Sequence, residues 1–199
     1  MEVVVESNFI LELAFAQQEV SFCEKILRAA AAGEITLALP VYCLTEVFQT
    51  LGSRRQQRIA TERIIRQEIQ QHLRETGVMA EDMRQLGNLL QGLLVTRTET
   101  QTARLFAVTQ QLAQVARLLP LTNEVLLAAQ RAQQRHSLTP QDALVLASLL
   151  EDNAAVDAEK LFVSRNESDF SKPELLAELR EQNCGYLGSF RAAVGWLRL

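Results

Sequence analysis

Apolar residues fall into short dense blocks near both ends of the chain and into long, diluted stripes between them. Val3, Val4 and Val5 are consecutive β-branched residues, the mark of a short strand buried on both faces. Glu6, Ser7 and Asn8 follow, polar and able to cap a helix whose apolar side carries Phe9, Ile10, Leu13 and Ala14. A second helix is expected over about Val20 to Ala32, with Gly33 as its stop. Ile35 to Leu39 reads as a second strand ended by Pro40. That proline suits the first turn of a third helix, which carries Val41, Leu44, Val47, Phe48 and Leu51.

From Ser53 to about Arg117 the texture changes to Gln, Arg, Glu and Leu with no proline. The spacing predicts two or three long helices with a break near Gly77, forming an insertion or side bundle. A coiled-coil arm for dimerisation fits less well, because no strict heptad persists. Beyond it, Pro120 and Thr122 announce a helix with Val125, Leu126, Ala129 and Ala132 as its buried stripe. Ser137 to Pro140 form a turn and N-cap before a strongly apolar helix over Gln141 to Leu150. Leu161 to Val163 is a third β run, followed by a polar loop from Ser164 to Asp169. Pro173 opens another helix, Gly185 to Leu187 reads as a last strand, and Phe190 to Leu197 as a terminal helix. Strands alternating with helices imply crossover connections and a parallel sheet.

Composition adds boundaries. The 199 residues suffice for one ordinary domain, and 48% hydrophobic with 22% charged residues is globular composition. The formal charge of −4 offers no global basic field for nucleic acid, although a bound cation reverses the sign of an acidic pocket. Cys23, Cys43 and Cys184 are dispersed and odd in number, which argues against a disulfide framework or zinc knuckle and for a reducing, cytoplasmic setting. Glu2 and Glu6 flank the first apolar run where a signal peptide needs basic residues. The run Ala143 to Leu150 is far short of the roughly 20 residues a membrane span needs.

The chemistry sits at element junctions. Glu6 ends the first strand, and Asn166 and Asp169 follow the Leu161–Val163 strand in the same manner; ligands of open parallel sheets gather beyond such strand ends. Glu46 lies one turn or so beyond Pro40 among apolar neighbours, where an unpaired carboxylate is poorly tolerated. Asp142 is in the first turn of its helix, where the helix dipole alone also accounts for an acid. Glu6 is equally readable as an exposed strand end, and Asp169 as a loop cap. Histidine catalysis is poorly supported by His72 and His136, and no G-x-S-x-G, G-x-G-x-x-G or Walker sequence occurs.

The segments V-V-V-E-S-N-F-I-L-E-L, L-P-V-Y-C-L-T-E-V-F, L-T-P-Q-D-A-L-V-L-A-S and L-F-V-S-R-N-E-S-D-F, in this order, resemble the four signature segments of PIN-domain nucleases. The resemblance covers the start to about residue 52 and about 118 to 190. It implies a three-layer α/β/α PIN-like fold with a central parallel sheet, here one domain over 1–199 with a long helical insertion at about 53–117. It implies a pocket of acids holding Mg²⁺ or Mn²⁺ for hydrolysis of RNA. Glu6, Glu46 and Asp142 match the first three acids. The usual place of the fourth is Asn166, with Asp169 downstream as a replacement, so that Glu6, Glu46, Asp142 and Asp169 are the expected metal and catalytic set. Asn8, Ser164, Arg165 and Asn166 are expected to contact ligands or substrate. Arg54, Arg55, Arg58, Arg63, Arg66 and Arg74 form a further candidate basic face, or a solvated helix surface with pairs such as Glu62–Arg66. A toxin of a toxin–antitoxin pair, with an antitoxin protein or a second copy as partner, is one role compatible with this. The rival is a PIN-like module that has lost catalysis and binds RNA or protein, which the asparagine at 166 favours.

Overall fold

The computed structural model of the chain describes residues 1–72, 74, 80–152 and 159–199. Five strands form one sheet: β1 (Glu2–Val5), β2 (Thr36–Pro40), β3 (Arg117–Leu119), β4 (Lys160–Val163) and β5 (Cys184–Leu187). All neighbours are parallel, in the order β3-β2-β1-β4-β5. Helices α1 (Ser7–Phe15), α2 (Val20–Ala31), α5 (Asn123–His136), α6 (Pro140–Leu150), α7 (Glu167–Phe170), α8 (Pro173–Glu181) and α9 (Phe190–Leu197) flank it, giving the α/β/α architecture of a PIN-like fold. Between β2 and β3 run two long helices, α3 (Val41–His72) and α4 (Ala80–Val115). The expected break near Gly77 lies outside the described residues.

The order decides where chemistry can sit. From β1 the chain builds outward through β2 and β3, then returns to the other side of β1 for β4 and β5. The winding direction therefore reverses between β1 and β4, and their carboxyl ends open a crevice that no crossover covers. The pair is in register, Val5 opposite Val163, so the next residues, Glu6 and Ser164, leave the sheet side by side.

β1 and β4 are buried along their whole length, as central strands covered on both faces should be. Phe9 of α1 meets Phe190 of α9 edge-on at 5.4 Å, and Phe162 of β4 meets Phe170 of α7 at 4.9 Å. At the opposite end of the sheet, Arg117 of β3 bonds Glu2 of β1 and Asp152, and Lys160 of β4 reaches Asp152 at 3.3 Å. This network ties three strands together and turns the buried Glu2 and Lys160 into paired charges.

Two expectations are corrected. Arg117–Leu119 is not a helix end but an edge strand, because Ala38 to Pro40 present a ladder on which it pairs. The polar loop after β4 contains one helical turn, α7.

The chain forms two compact units: Met1–Val47 together with Leu105–Leu199, and Phe48–Arg104. The first holds the entire sheet. The second consists of most of α3 and α4. In it Arg58 crosses from α3 to bond Thr98 (2.8 Å) and Gln101 (2.5 Å) of α4, and Gly87 lies so near Ile69 that an added Cβ would stand 2.6 Å from its Cδ1. Among the described residues, no helix is long and apolar enough to cross a membrane.

Candidate active site

A cleft of about 520 Å³ opens at the carboxyl ends of β1 and β4, lined by Glu6, Ser7, Asn8, Glu46, Asp142 and Asn166 among others. Each carboxylate arrives by a different local device. Glu6 is the N-cap of α1: its backbone is extended (φ −126°) and its Oε2 accepts the Asn8 amide at 3.0 Å. Of the three polar residues expected to cap this helix, Glu6 is the one that does. The Oε1 of Glu6 accepts the Ser164 hydroxyl at 3.1 Å, as the β1–β4 register requires. Ser164 is fixed in turn by accepting the Asn166 amide (3.0 Å) and by the Tyr186 hydroxyl on its carbonyl (3.0 Å).

Glu46 projects from the first turns of α3. Cys43 and Val47 carry that helix's buried face, and Phe48 is exposed, so Glu46 stands at the margin rather than in the apolar interior. The Ser7 hydroxyl donates to its carboxylate. Asp142 is the third residue of α6. Thr139, the N-cap, accepts the Asp142 amide at 3.2 Å and donates its hydroxyl to Oδ2 at 2.5 Å. The other oxygen, Oδ1, accepts the Asn166 side-chain amide at 2.9 Å. Asp142 thus serves the helix terminus and the cleft together, and the two readings of it in the sequence are not exclusive.

Burial makes Glu6 the unusual group. Loss of hydration pushes its carboxyl up to about 7, against the pull of the Asn8 and Ser164 hydrogen bonds and with a further push from the charge of Glu46. A carboxyl in this state is only half ionised near neutrality and binds a proton or a cation in competition.

The metal-ligating atoms that the cleft offers are oxygens, those of three carboxylates with side-chain amides and hydroxyls beside them, which is the chemistry that Mg²⁺ or Mn²⁺ selects. Cysteine does not contribute, since burial drives the Cys43 thiol upward and away from thiolate. Among the described residues no three His, Cys, Asp or Glu side chains stand grouped for an ion. Each cleft carboxylate is instead engaged by a neutral hydroxyl or amide of the chain, and these are partners a cation could replace.

The other residues expected at the site divide. Asn8 and Asn166 line the cleft, while Ser164 lies fully buried behind Glu6. Arg165 lines it too, but its guanidinium is paired with Glu12, a carboxylate of α1 that is 0% exposed. Asp169 is not brought to the cleft: its oxygens face Ser168 (3.4 Å) and Lys172 (4.0 Å). Ser7 and Thr139, which the sequence offers only as helix-capping residues, donate to cleft carboxylates, and Glu12 is a partner that the sequence pattern does not assign to the site. The signal that could have found Glu12 is its place as a lone acid amid Phe9, Ile10, Leu13 and Ala14.

A family model described as PIN domain matches residues 3–170, which take in β1 from its second residue, β2 to β4 and every carboxylate of the cleft. Neither a curated relative nor a solved structure matches the chain. With most of its length matched and a five-stranded parallel sheet of the corresponding kind, the chain belongs to the PIN-domain family.

Proposed function

We propose that the chain is a metal-dependent endoribonuclease hydrolysing RNA phosphodiester bonds at the β1–β4 cleft. The observation that carries this reading is the meeting of Glu6, Glu46 and Asp142, far apart in sequence, in one cleft of a fold whose family is generally one of metal-dependent nucleases. A divalent ion bound there supplies charge neutralisation at the scissile phosphate and a water acidified for attack. Glu6, Glu46 and Asp142 would hold it.

The chain's own groups divide the remaining work. Ser7 and Thr139 orient the carboxylates of Glu46 and Asp142 by hydroxyl donation, and Ser164 with the Asn8 amide fixes Glu6. Burial of Glu6 raises its carboxyl to about 7, so near neutrality a proton competes with a cation for it and the repulsion among three acids is eased while the proton stays. Arg165, held at the rim by Glu12, presents further N–H donors to a phosphate oxygen.

One observation favours a second reading. Asn166 stands where a fourth acid is expected and donates its amide to Asp142, so the cleft carries one negative charge fewer. A PIN-like module that binds RNA without cutting it would have this composition. Incubating a pool of cellular RNA with Mn²⁺ separates the two. Cleavage by wild type and its loss in Asp142→Asn support the nuclease; equal cleavage by both removes Asp142 from the mechanism. A toxin role, paired with an antitoxin protein, belongs to the same proposal and is tested by growth arrest on expression of wild type but not of Asp142→Asn.

A further inference from the structure

The second unit, Phe48–Arg104, lacks an interior of its own. Among its described residues between 52 and 100, none is buried. Its two helices, α3 and α4, touch along one face each. On α4 that face is Met83, Gly87, Leu90, Leu94, Thr98 and Gln101, half-buried or buried at steps of four and three. Gly87 lies against Ile69, and Thr98 and Gln101 accept from Arg58. Two helices alone cover a single stripe of each other, and a core needs a further layer.

α4 carries a second stripe, about a third of a turn round from the first. Asp82, Leu86, Leu89, Leu93 and Arg97 follow at steps of four, three, four and four, and so stand in line on one side of the helix. No strict heptad runs the length of the helical segment, but over this stretch the spacing of a helix–helix seam is present. The three leucines are 48%, 60% and 57% exposed, a contiguous apolar patch rather than scattered single residues. Asp82 and Arg97 make no hydrogen bond or ion pair among the described residues, whereas the neighbouring Glu81 and Arg84 are paired with each other at 3.3 Å.

The charges at the ends of this stripe indicate what covers it. An acid stands at one end, a base at the other, and leucines between them. Asp82 and Arg97 are about 22 Å apart along the helix axis, too far to meet within one copy. An identical helix laid antiparallel satisfies both at once. With the two-fold axis beside Leu89, Asp82 faces Arg97 of the second copy, Leu86 faces its Leu93, and every contact occurs twice. Laid parallel, like charge would face like charge. We propose that two copies of the chain associate antiparallel through the Asp82–Arg97 face of α4, so that the two helix pairs supply each other's missing layer. The pairing does not depend on the nuclease reading.

Analytical ultracentrifugation of the full chain tests this. Wild type should be a dimer at low micromolar concentration, and its melting temperature should rise with protein concentration. Leu89→Asp brings two carboxylates together at the axis and should leave a monomer at the same concentration. The end charges separate pairing from folding. Asp82→Arg and Arg97→Asp each turn both ion pairs into like-charge contacts, so each should dimerise about tenfold more weakly at low salt. An equimolar mixture of the two restores opposite charges at both ends and should return to wild-type affinity, which loss of structure in either variant would not produce. Orientation is read by cross-linking, since the native Cys23, Cys43 and Cys184 are buried. Leu86→Cys mixed with Leu93→Cys should form disulfide-linked dimers under mild oxidation faster than either variant alone. A wild type still monomeric at high micromolar concentration, or a dimer that Leu89→Asp leaves intact, overturns the proposal. Cross-linking of each cysteine variant with itself in preference to the mixture overturns the antiparallel pairing.

Discussion

Glu6→Gln is the sharpest probe of the cleft's electrostatics. Burial carries the Glu6 carboxyl from 4.5 to about 7, and each tenfold change in proton affinity is worth about 1.4 kcal/mol. The ionised form is thus disfavoured in the folded chain by about 3 kcal/mol. The sign follows from proton counting. Between about pH 4.5 and 7 the folded state keeps a proton that the unfolded state has lost, so stability falls as pH rises through that window and levels off above it. Gln cannot ionise, and its amide can serve the Asn8 N–H with its oxygen and the Ser164 hydroxyl with its nitrogen. Urea unfolding in EDTA at about pH 5 and about pH 8 should therefore show Glu6→Gln gaining on wild type by about 2–3 kcal/mol between the two. Mn²⁺ at pH 8 should return most of that difference to wild type and leave the variant unmoved. A gap between variant and wild type that is the same at both pH values would refute the reasoning.

Three other outcomes follow from the same structure. Asn166→Asp replaces an amide donor to Asp142 with a like charge, so it should melt lower than wild type in EDTA and bind Mn²⁺ more tightly, read by thermal shift in each condition. Arg165→Met strands the buried Glu12 carboxylate; allowing for an arginine that is 37% exposed and for the Glu19 amide that Glu12 also accepts, the loss should be about 2–3 kcal/mol in chemical denaturation, largely recovered with Glu12→Leu. Leu146→Ala, in α6 behind Asp142 and 0% exposed, should cost about 2–5 kcal/mol by the same measurement.

How far the sequence carries depends on how local the cause is. Val3–Val5 and Leu161–Val163 are legible because only a strand covered on both faces uses such runs, and β1 and β4 are these strands. Arg117–Leu119 is not legible: Arg and Leu are good helix formers that follow a long helix without punctuation, and only the ladder on β2 makes them a strand. Glu167–Phe170 is a single turn, stabilised by Phe170 packing on Phe162 rather than by its own propensity. In the cleft, Glu6, Glu46 and Asp142 are findable as acids at element ends. Their partners are not, since Ser7 to Glu46 and Asn166 to Asp142 join positions that only the folded sheet brings together. Arg165 reads from sequence as an available cation, and its partner lies 153 residues away.

On the proposed function, three carboxylates in the β1–β4 cleft share one divalent ion. Manganese titration followed by the free-ion resonance signal tests it without reference to any substrate. Wild type should take up the ion tightly, and Glu6→Gln, Glu46→Gln and Asp142→Asn, each taken singly, should lose that uptake. Undiminished uptake in any one of the three would contradict it.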